Sequence, residues 1–198
     1  MYSVGAEFRV PVLLGGGAAV VSPPVGFGAT FVFRYHGVPL GVARLGGLLA
    51  VGHDRVLDRR TIVYADETGT ERRAVRWAAH DQTTFLTGPT VQLPLRRVFL
   101  EVGAGVGLAV GNLLRPVPGD PTRETRAFGV GFAVRGDATL GIPFASGHGL
   151  LVGLTFTKVF SNVRTTEDPA LADDPSAPQD TAPFDMTLAP FVGYQGWF

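Results

Sequence analysis

Along most of this chain apolar and polar residues alternate one by one, in segments of about ten residues, the length of a tilted strand that crosses a bilayer. The last segment sets Phe184, Met186, Leu188, Pro190, Val192, Tyr194 and Phe198 on one parity. Asp185, Thr187, Gly193 and Gln195 fall mostly on the other. Successive side chains of a strand point to opposite faces, so this pattern predicts a strand with one apolar face and one polar or small face. The chain opens the same way, with Tyr2, Val4, Ala6, Phe8, Val10 and Val12 against Ser3, Gly5, Glu7 and Arg9. After the breaks at Gly15-Gly16-Gly17 and Pro23-Pro24, Val25, Phe27, Ala29, Phe31, Phe33 and Tyr35 face one way and Thr30, Arg34 and His36 the other.

A tight turn is expected from His36 to Pro39. Beyond it Ala43, Leu45, Leu49 and Val51 alternate more softly against Val42, Arg44 and Leu48. His53 to Thr90 reads as the upper parts of strands three and four, with a hairpin turn at Asp66 to Thr70 rising past the bilayer. A second short connection is expected at Thr87 to Pro94. Strong alternation returns at Val98, Leu100, Val102, Ala104, Val106, Leu108 and Val110, opposed by Phe99, Glu101, Gly103, Gly105, Gly107 and Ala109. A proline-containing loop is expected from Asn112 to Glu124. Phe128, Val130, Phe132, Val134, Leu140, Ile142 and Phe144 then share a parity against Gly129, Gly131, Ala133, Arg135 and Asp137. After a turn at Ala145 to Gly149, Leu150, Val152, Leu154 and Phe156 form the seventh strand. An acidic, proline-rich loop from Asn162 to Pro183 leads to the eighth. The sum is an all-β chain in one domain, residues 1–198: a closed, antiparallel, up-and-down transmembrane barrel of about eight strands, with long and short connections alternating.

With its final strand ending in Phe198, the chain resembles the eight-stranded bacterial outer-membrane barrels of the OmpA/OmpX type. That resemblance implies a Gram-negative outer-membrane location and a monomer. It also implies that Val192, Tyr194 and Phe198 form the segment that the barrel-assembly machinery recognises. Outer-membrane lipids and lipopolysaccharide are the partners it suggests. Met1-Tyr2-Ser3 carries no basic or apolar leader, so the chain is read as a mature form with an added initiator methionine.

Composition agrees with a chain whose surface is not ordinary solvent-exposed surface. Charged residues are 17%, below the roughly 25% of soluble domains, and glycines number 27. No run approaches 18 apolar residues, which excludes a transmembrane helix. A formal net charge of zero removes bulk basicity as an argument for nucleic acid. With no cysteine there is no disulfide framework and no thiolate metal site, and no cofactor is expected.

In a barrel of this size side chains fill the interior. The inward parity carries Glu7, Arg9, Arg34, Arg44, Glu101, Arg135, Asp137 and Asp185, with glycines such as Gly103 and Gly131 making room. Charges of both signs walled off from lipid must pair, so a plug of Arg–carboxylate bonds is expected in preference to a wide pore. Arg59, Arg60, Arg72, Arg73 and Arg76 gather on the upper hairpin, where guanidiniums could hold lipopolysaccharide phosphates. Gly103-Ala104-Gly105-Val106-Gly107 has the period of a strand and lacks the strand-to-helix setting of a phosphate loop. Some small barrels are lipid A acyltransferases or deacylases, and His53-Asp54 and His80-Asp81 invite that comparison. Neighbours on a strand face opposite ways, so neither pair is itself a dyad; only a cross-strand set with Ser or Thr could act. Four histidines without clustered spacing make no metal site, and Glu167, Asp168, Asp173 and Asp174 read as a hydrated loop with at most weak calcium contact. The rivals are a narrow channel or carrier, a lipid-modifying hydrolase, and a soluble lipocalin-like barrel with its aromatics inside.

Overall fold

The computed structural model describes every residue except 16–17, 19–20, 66–67, 118–119, 145 and 167–183. For strand residues 60, 62, 64–65, 76, 113–117, 120–127 and 161–166 it describes the backbone. In chain order the strands are β1 (Tyr2–Arg9), β2 (Val12–Leu14), β3 (Gly26–Leu40), β4 (Ala43–Ala65), β5 (Glu71–Leu95), β6 (Val98–Val117), β7 (Asp120–Pro143), β8 (His148–Thr166) and β9 (Met186–Trp197). From β3 to β9 each pairs antiparallel with the next, β1 pairs with β3, and β1 also pairs with β9, from Ser3↔Trp197 to Arg9↔Phe191. β2 takes over on β9 at Val12↔Leu188, so β1 and β2 are one strand interrupted at Pro11, and the sheet closes as a ring of eight. Within the ring each strand has a neighbour on both sides, the condition for strands to cross a bilayer. At the seam Tyr2 N donates to Phe198 O and Phe198 N to Tyr2 O, each at 3.0 Å.

The pleat sorts side chains as the sequence requires. Along β6 Leu100, Val102, Val106 and Leu108 are exposed outward, while Glu101, Gly103 and Ala109 are buried. Ten residues at ~3.3 Å each, reduced by a ~40° tilt, give an apolar band about 25 Å tall, the height of a membrane barrel's belt. Phe27, Phe31, Phe33, Phe128 and Phe132 lie on this outer wall, which rules out the lipocalin-like arrangement.

Five sequence expectations shift. The first turn lies at Gly41-Val42, with Gly41 at φ +61°, because β3 runs on to Leu40 past an irregularity between His36 and Val38. Thr87 to Pro94 is no connection but the inside of β5. Pro89 forgoes a hydrogen bond toward β6 and still sits in register with Gly47, so the strand continues to a turn at Arg96-Arg97. Two expected loops begin late: that from Asn112 is strand as far as Val117, with β7 from Asp120, and that from Asn162 is strand as far as Thr166. Phe184, expected outward, is buried with Leu13, Val21 and Val56, since it precedes β9 and escapes the strand's parity.

The interior is layered. At the end of the long connections those four apolar side chains form one cap. At the end of the short turns Phe99, Leu151 and Phe191 form another, with Trp197 against it. Glycines provide seats for these rings: a Cβ on Gly141 would strike Phe99, and one on Gly149 would come 2.5 Å from Trp197. Between the caps, Val32, Leu48, Ala50, Leu86, Ala109, Ala133 and Val159 line part of the wall, and charged groups occupy the rest.

Candidate functional site

Inward positions on five strands supply one buried ion network. Arg9 of β1 grips Asp54 of β4 with two bonds, Nε to Oδ1 at 2.7 Å and Nη2 to Oδ2 at 2.8 Å. Glu7 of β1 accepts from Arg34 of β3 at 2.7 Å through Oε1 and from Arg135 of β7 at 3.1 Å through Oε2. Arg34 Nε also stands 2.7 Å from Glu101 Oε1 on β6, and Arg135 Nε 3.4 Å from Asp137 Oδ1. None of these side chains is more than 6% exposed. Desolvating an ion costs several kcal/mol, which explains why each is met by an opposite charge. Room again comes from glycine. A Cβ on Gly28 would collide with the Asp54 carboxylate, one on Gly52 would lie 2.5 Å from Arg9 Nη2, and one on Gly103 2.7 Å from Asp137 Oδ2.

Of the eight residues expected in the lumen, the structure brings together Glu7, Arg9, Arg34, Glu101, Arg135 and Asp137. Arg44 is not among them. It is exposed next to the first short turn, with Nη1 3.8 Å from Met1 Sδ, because the wall ends there and leaves no lumen to enter. Asp185 is partly exposed and bound to Lys158, whose ammonium also lies over Phe160, so this pair belongs to the outer rim. Sequence reading noted Asp54 only beside His53 and did not place it in this network, its partner lying 45 residues away, nor did it join Ser3, His36 and Gln195 to it. Ser3 Oγ lies 3.4 Å from His36 Nε2, His36 Nδ1 3.6 Å from Glu101 Oε2, and Arg34 Nη1 donates to Gln195 Oε1 at 3.4 Å. Inward parity on β1, β3 and β9 was the available signal. Higher up, His80 and Asp58 face each other at 3.7 Å, and Ser22 N donates to Asp58 Oδ1.

On the outer wall a second polar group interrupts the apolar surface. Arg55 of β4 holds Asp81 of β5 at 2.6 and 2.9 Å, and His53 Nδ1 meets Thr83 Oγ1 at 3.0 Å. Charged groups facing outward mark the upper border of the hydrocarbon layer. There the Asp81 carboxyl is held below its ordinary range, first by the hydrogen bonds from Arg55 and further by that residue's charge. His53 and Thr83 are the cross-strand pair that hydrolysis would need, yet His53 Nε2 is 3.6 Å from Asp81, whose carboxylate Arg55 already occupies. The geometry gives His53 no strong orienting acid. His53 and His80 point to opposite sides of the wall and do not combine.

Above this border β4 and β5 continue as the longest hairpin. Arg59, Arg72 and Arg73 are exposed on it, and Arg73 lies 3.8 Å from Glu71. Arg60 and Arg76 are directly opposed in register. Val192, Tyr194 and Phe198 project outward near the other end, Phe198 being 71% exposed. Among the described residues no three His, Cys, Asp or Glu side chains are grouped to hold a metal. The acidic loop positions Glu167, Asp168, Asp173 and Asp174 lie outside the described residues.

A closed ring with apolar residues outside and paired ions inside is a transmembrane β-barrel of the bacterial outer-membrane type. Among solved structures, Neisserial surface protein A superposes with a TM-score of 0.56 at 11% identity, over 100% of this chain and 97% of that one. A major outer membrane protein of Thermus thermophilus gives 0.49 at 13% identity, over 98% and 99% of the two chains. The outer membrane protease OmpT of Escherichia coli gives 0.47 at 10%, over 100% and 96%. Likeness at such identities is likeness of fold. No protein-family model matches the chain, and no curated protein matches it.

Proposed function

We propose that the protein is a monomeric barrel of the Gram-negative outer membrane with a plugged lumen, and that its work is structural or lies in surface interaction, not in wide-pore transport. The observation that carries this reading is the sealed interior: apolar caps at both ends and, between them, guanidiniums locked to carboxylates. Long connections would face the exterior and short turns the periplasm. The arginine-bearing hairpin then rises beside the outer leaflet. Arg59 lies four residues past the Arg55–Asp81 border, roughly 13 Å along the strand, and Arg72 and Arg73 stand higher. Guanidiniums at those heights suit the phosphates of lipopolysaccharide, which they can bind through two parallel hydrogen bonds. On this reading the barrel-assembly machinery engages the outward Val192, Tyr194 and Phe198 of β9 and the chain end.

The test is refolding in detergent followed by electrophoresis with and without boiling, then insertion into vesicles with and without lipopolysaccharide. A shift in mobility on boiling is expected. So is a rise in unfolding midpoint with lipopolysaccharide that is at least halved in the Arg59→Ala, Arg72→Ala, Arg73→Ala triple variant. Unchanged mobility and solubility in plain buffer would remove the membrane reading. Release of fatty acid from lipid A by the pure protein would replace the structural role with a hydrolase.

A further inference from the structure

We propose that Glu101 and Asp137 together bind one monovalent cation, a proton or an alkali ion, inside the sealed lumen. The charge count comes first. Arg9 and Asp54 neutralise each other. What remains of the central network, among the described residues, is a chain running Asp137, Arg135, Glu7, Arg34, Glu101. Two guanidiniums thus meet three carboxylates, and a carboxylate stands at each end of the chain. One negative charge is left over where water is excluded, which is unfavourable unless a cation meets it.

The two chain ends come back to the same patch of wall. Glu101 is in register with Thr139 and Gly103 with Asp137, so the carboxylates are diagonal neighbours on the lumenal face of β6 and β7. Such neighbours have Cα atoms roughly 7–8 Å apart, within reach of long side chains. Gly103 allows the Asp137 carboxylate to lean over β6. Asp137 Oδ1 is tied to Arg135 at 3.4 Å, a long ion pair, and Oδ2 is buried with no hydrogen-bond partner. Independently, Thr139 is 3% exposed and its Oγ1 is buried without a partner. It lies across from Glu101 and two residues from Asp137, between the two acids. Two carboxylates that each meet a single guanidinium, with an unpartnered hydroxyl beside them, suit a hard cation or a shared proton.

Among the described residues, the buried charged and polar groups around this pair are Glu7 of β1, Arg34 and His36 of β3, Thr90 and Gln92 of β5, Arg135 of β7, Thr155 of β8 and Gln195 of β9. His36 is the titratable group beside Glu101 at the short-turn end. Its two ring nitrogens lie 3.6 Å from Glu101 and 3.4 Å from Ser3, and the Met1 amine donates to the His36 carbonyl at 3.4 Å, at the short-turn mouth.

Infrared spectroscopy and urea unfolding of the refolded barrel test the site. A bound proton gives the wild type at neutral pH the carbonyl stretch of a protonated carboxylic acid, lost in Asp137→Asn or Glu101→Gln. A bound alkali ion gives an unfolding midpoint that is higher in sodium or potassium than in N-methylglucamine at equal ionic strength, and Asp137→Asn abolishes the difference. Absence of both signals in a heat-shifting wild type overturns the proposal while leaving the barrel intact. A second contrast compares two variants that each remove one negative charge. Asp137→Asn is expected to hold or raise the midpoint, and Glu7→Gln, which strips a partner from two arginines, to lower it. An equal fall in both would also overturn the proposal.

Discussion

Arg9 and Asp54 illustrate how unforgiving a buried pair is. Removing one partner of a desolvated ion pair costs about 3–5 kcal/mol, whereas apolar replacement of both is often neutral. Arg9→Met alone is therefore expected to lower stability by about 3–5 kcal/mol in urea unfolding, and adding Asp54→Leu to recover most of the loss. A double variant as unstable as the single one would mean that the pair does more than satisfy itself. The sequence placed Arg9 on the inner face by parity but gave no hint of its partner. Parity tells which face a side chain takes. It does not tell how the strands are staggered, and stagger decides that β1 meets β4 across the lumen. The same limit hid the Ser3–His36–Glu101 series, whose members were each readable as inward. Arg44 and Asp185 show the converse error, since alternation continues past the levels where an interior exists.

Alternation read most strand cores correctly, because a wall between lipid and a packed lumen imposes period two on every strand. Proline and glycine misled where they were taken as breaks. Pro89 and Pro94 lie inside β5, and Pro116 inside β6, since neighbours on both sides hold a barrel strand in line even where one bond is missing. The Arg55–Asp81 pair joins β4 to β5 at the base of their upper hairpin. The Asp81 carboxyl is depressed in the folded state, so its contribution is complete above the ordinary aspartate value of about 3.9 and fades as pH falls through the lower folded value. Amide exchange in the hairpin is expected to quicken in that acid window, and Asp81→Asn to remove this added acceleration. For a half-exposed pair the effect is small, about 0.2–1 kcal/mol. Exchange that quickens equally in the variant would assign the acid response to other groups.

At the scale of the whole molecule the ring, its belt and its filled interior belong to one solution of one problem: satisfying every backbone group in lipid while hiding charge. Two caps and a central ion network occupy the lumen among the described residues. In planar bilayers the protein is expected to show no steady open state, with at most rare brief openings. Regular conductance steps would mean that a cap moves aside. That side chains fill the interior was legible from strand number, because about eight strands enclose only enough space for them. The identity of the caps was not, since Phe184 and Val21 lie outside the regular strands.

Glu7 has a mechanical consequence. It holds Arg34 on the adjacent strand and Arg135 three strands away around the other side, while Arg34 reaches three strands further to Glu101. These contacts act as spokes tied to a hub, so flattening the cylinder into an oval would stretch at least one of them. A hollow tube of the same strands would yield to the sideways squeeze of the bilayer. This one is braced from within, and the bracing engages only when distant strands have come round to meet.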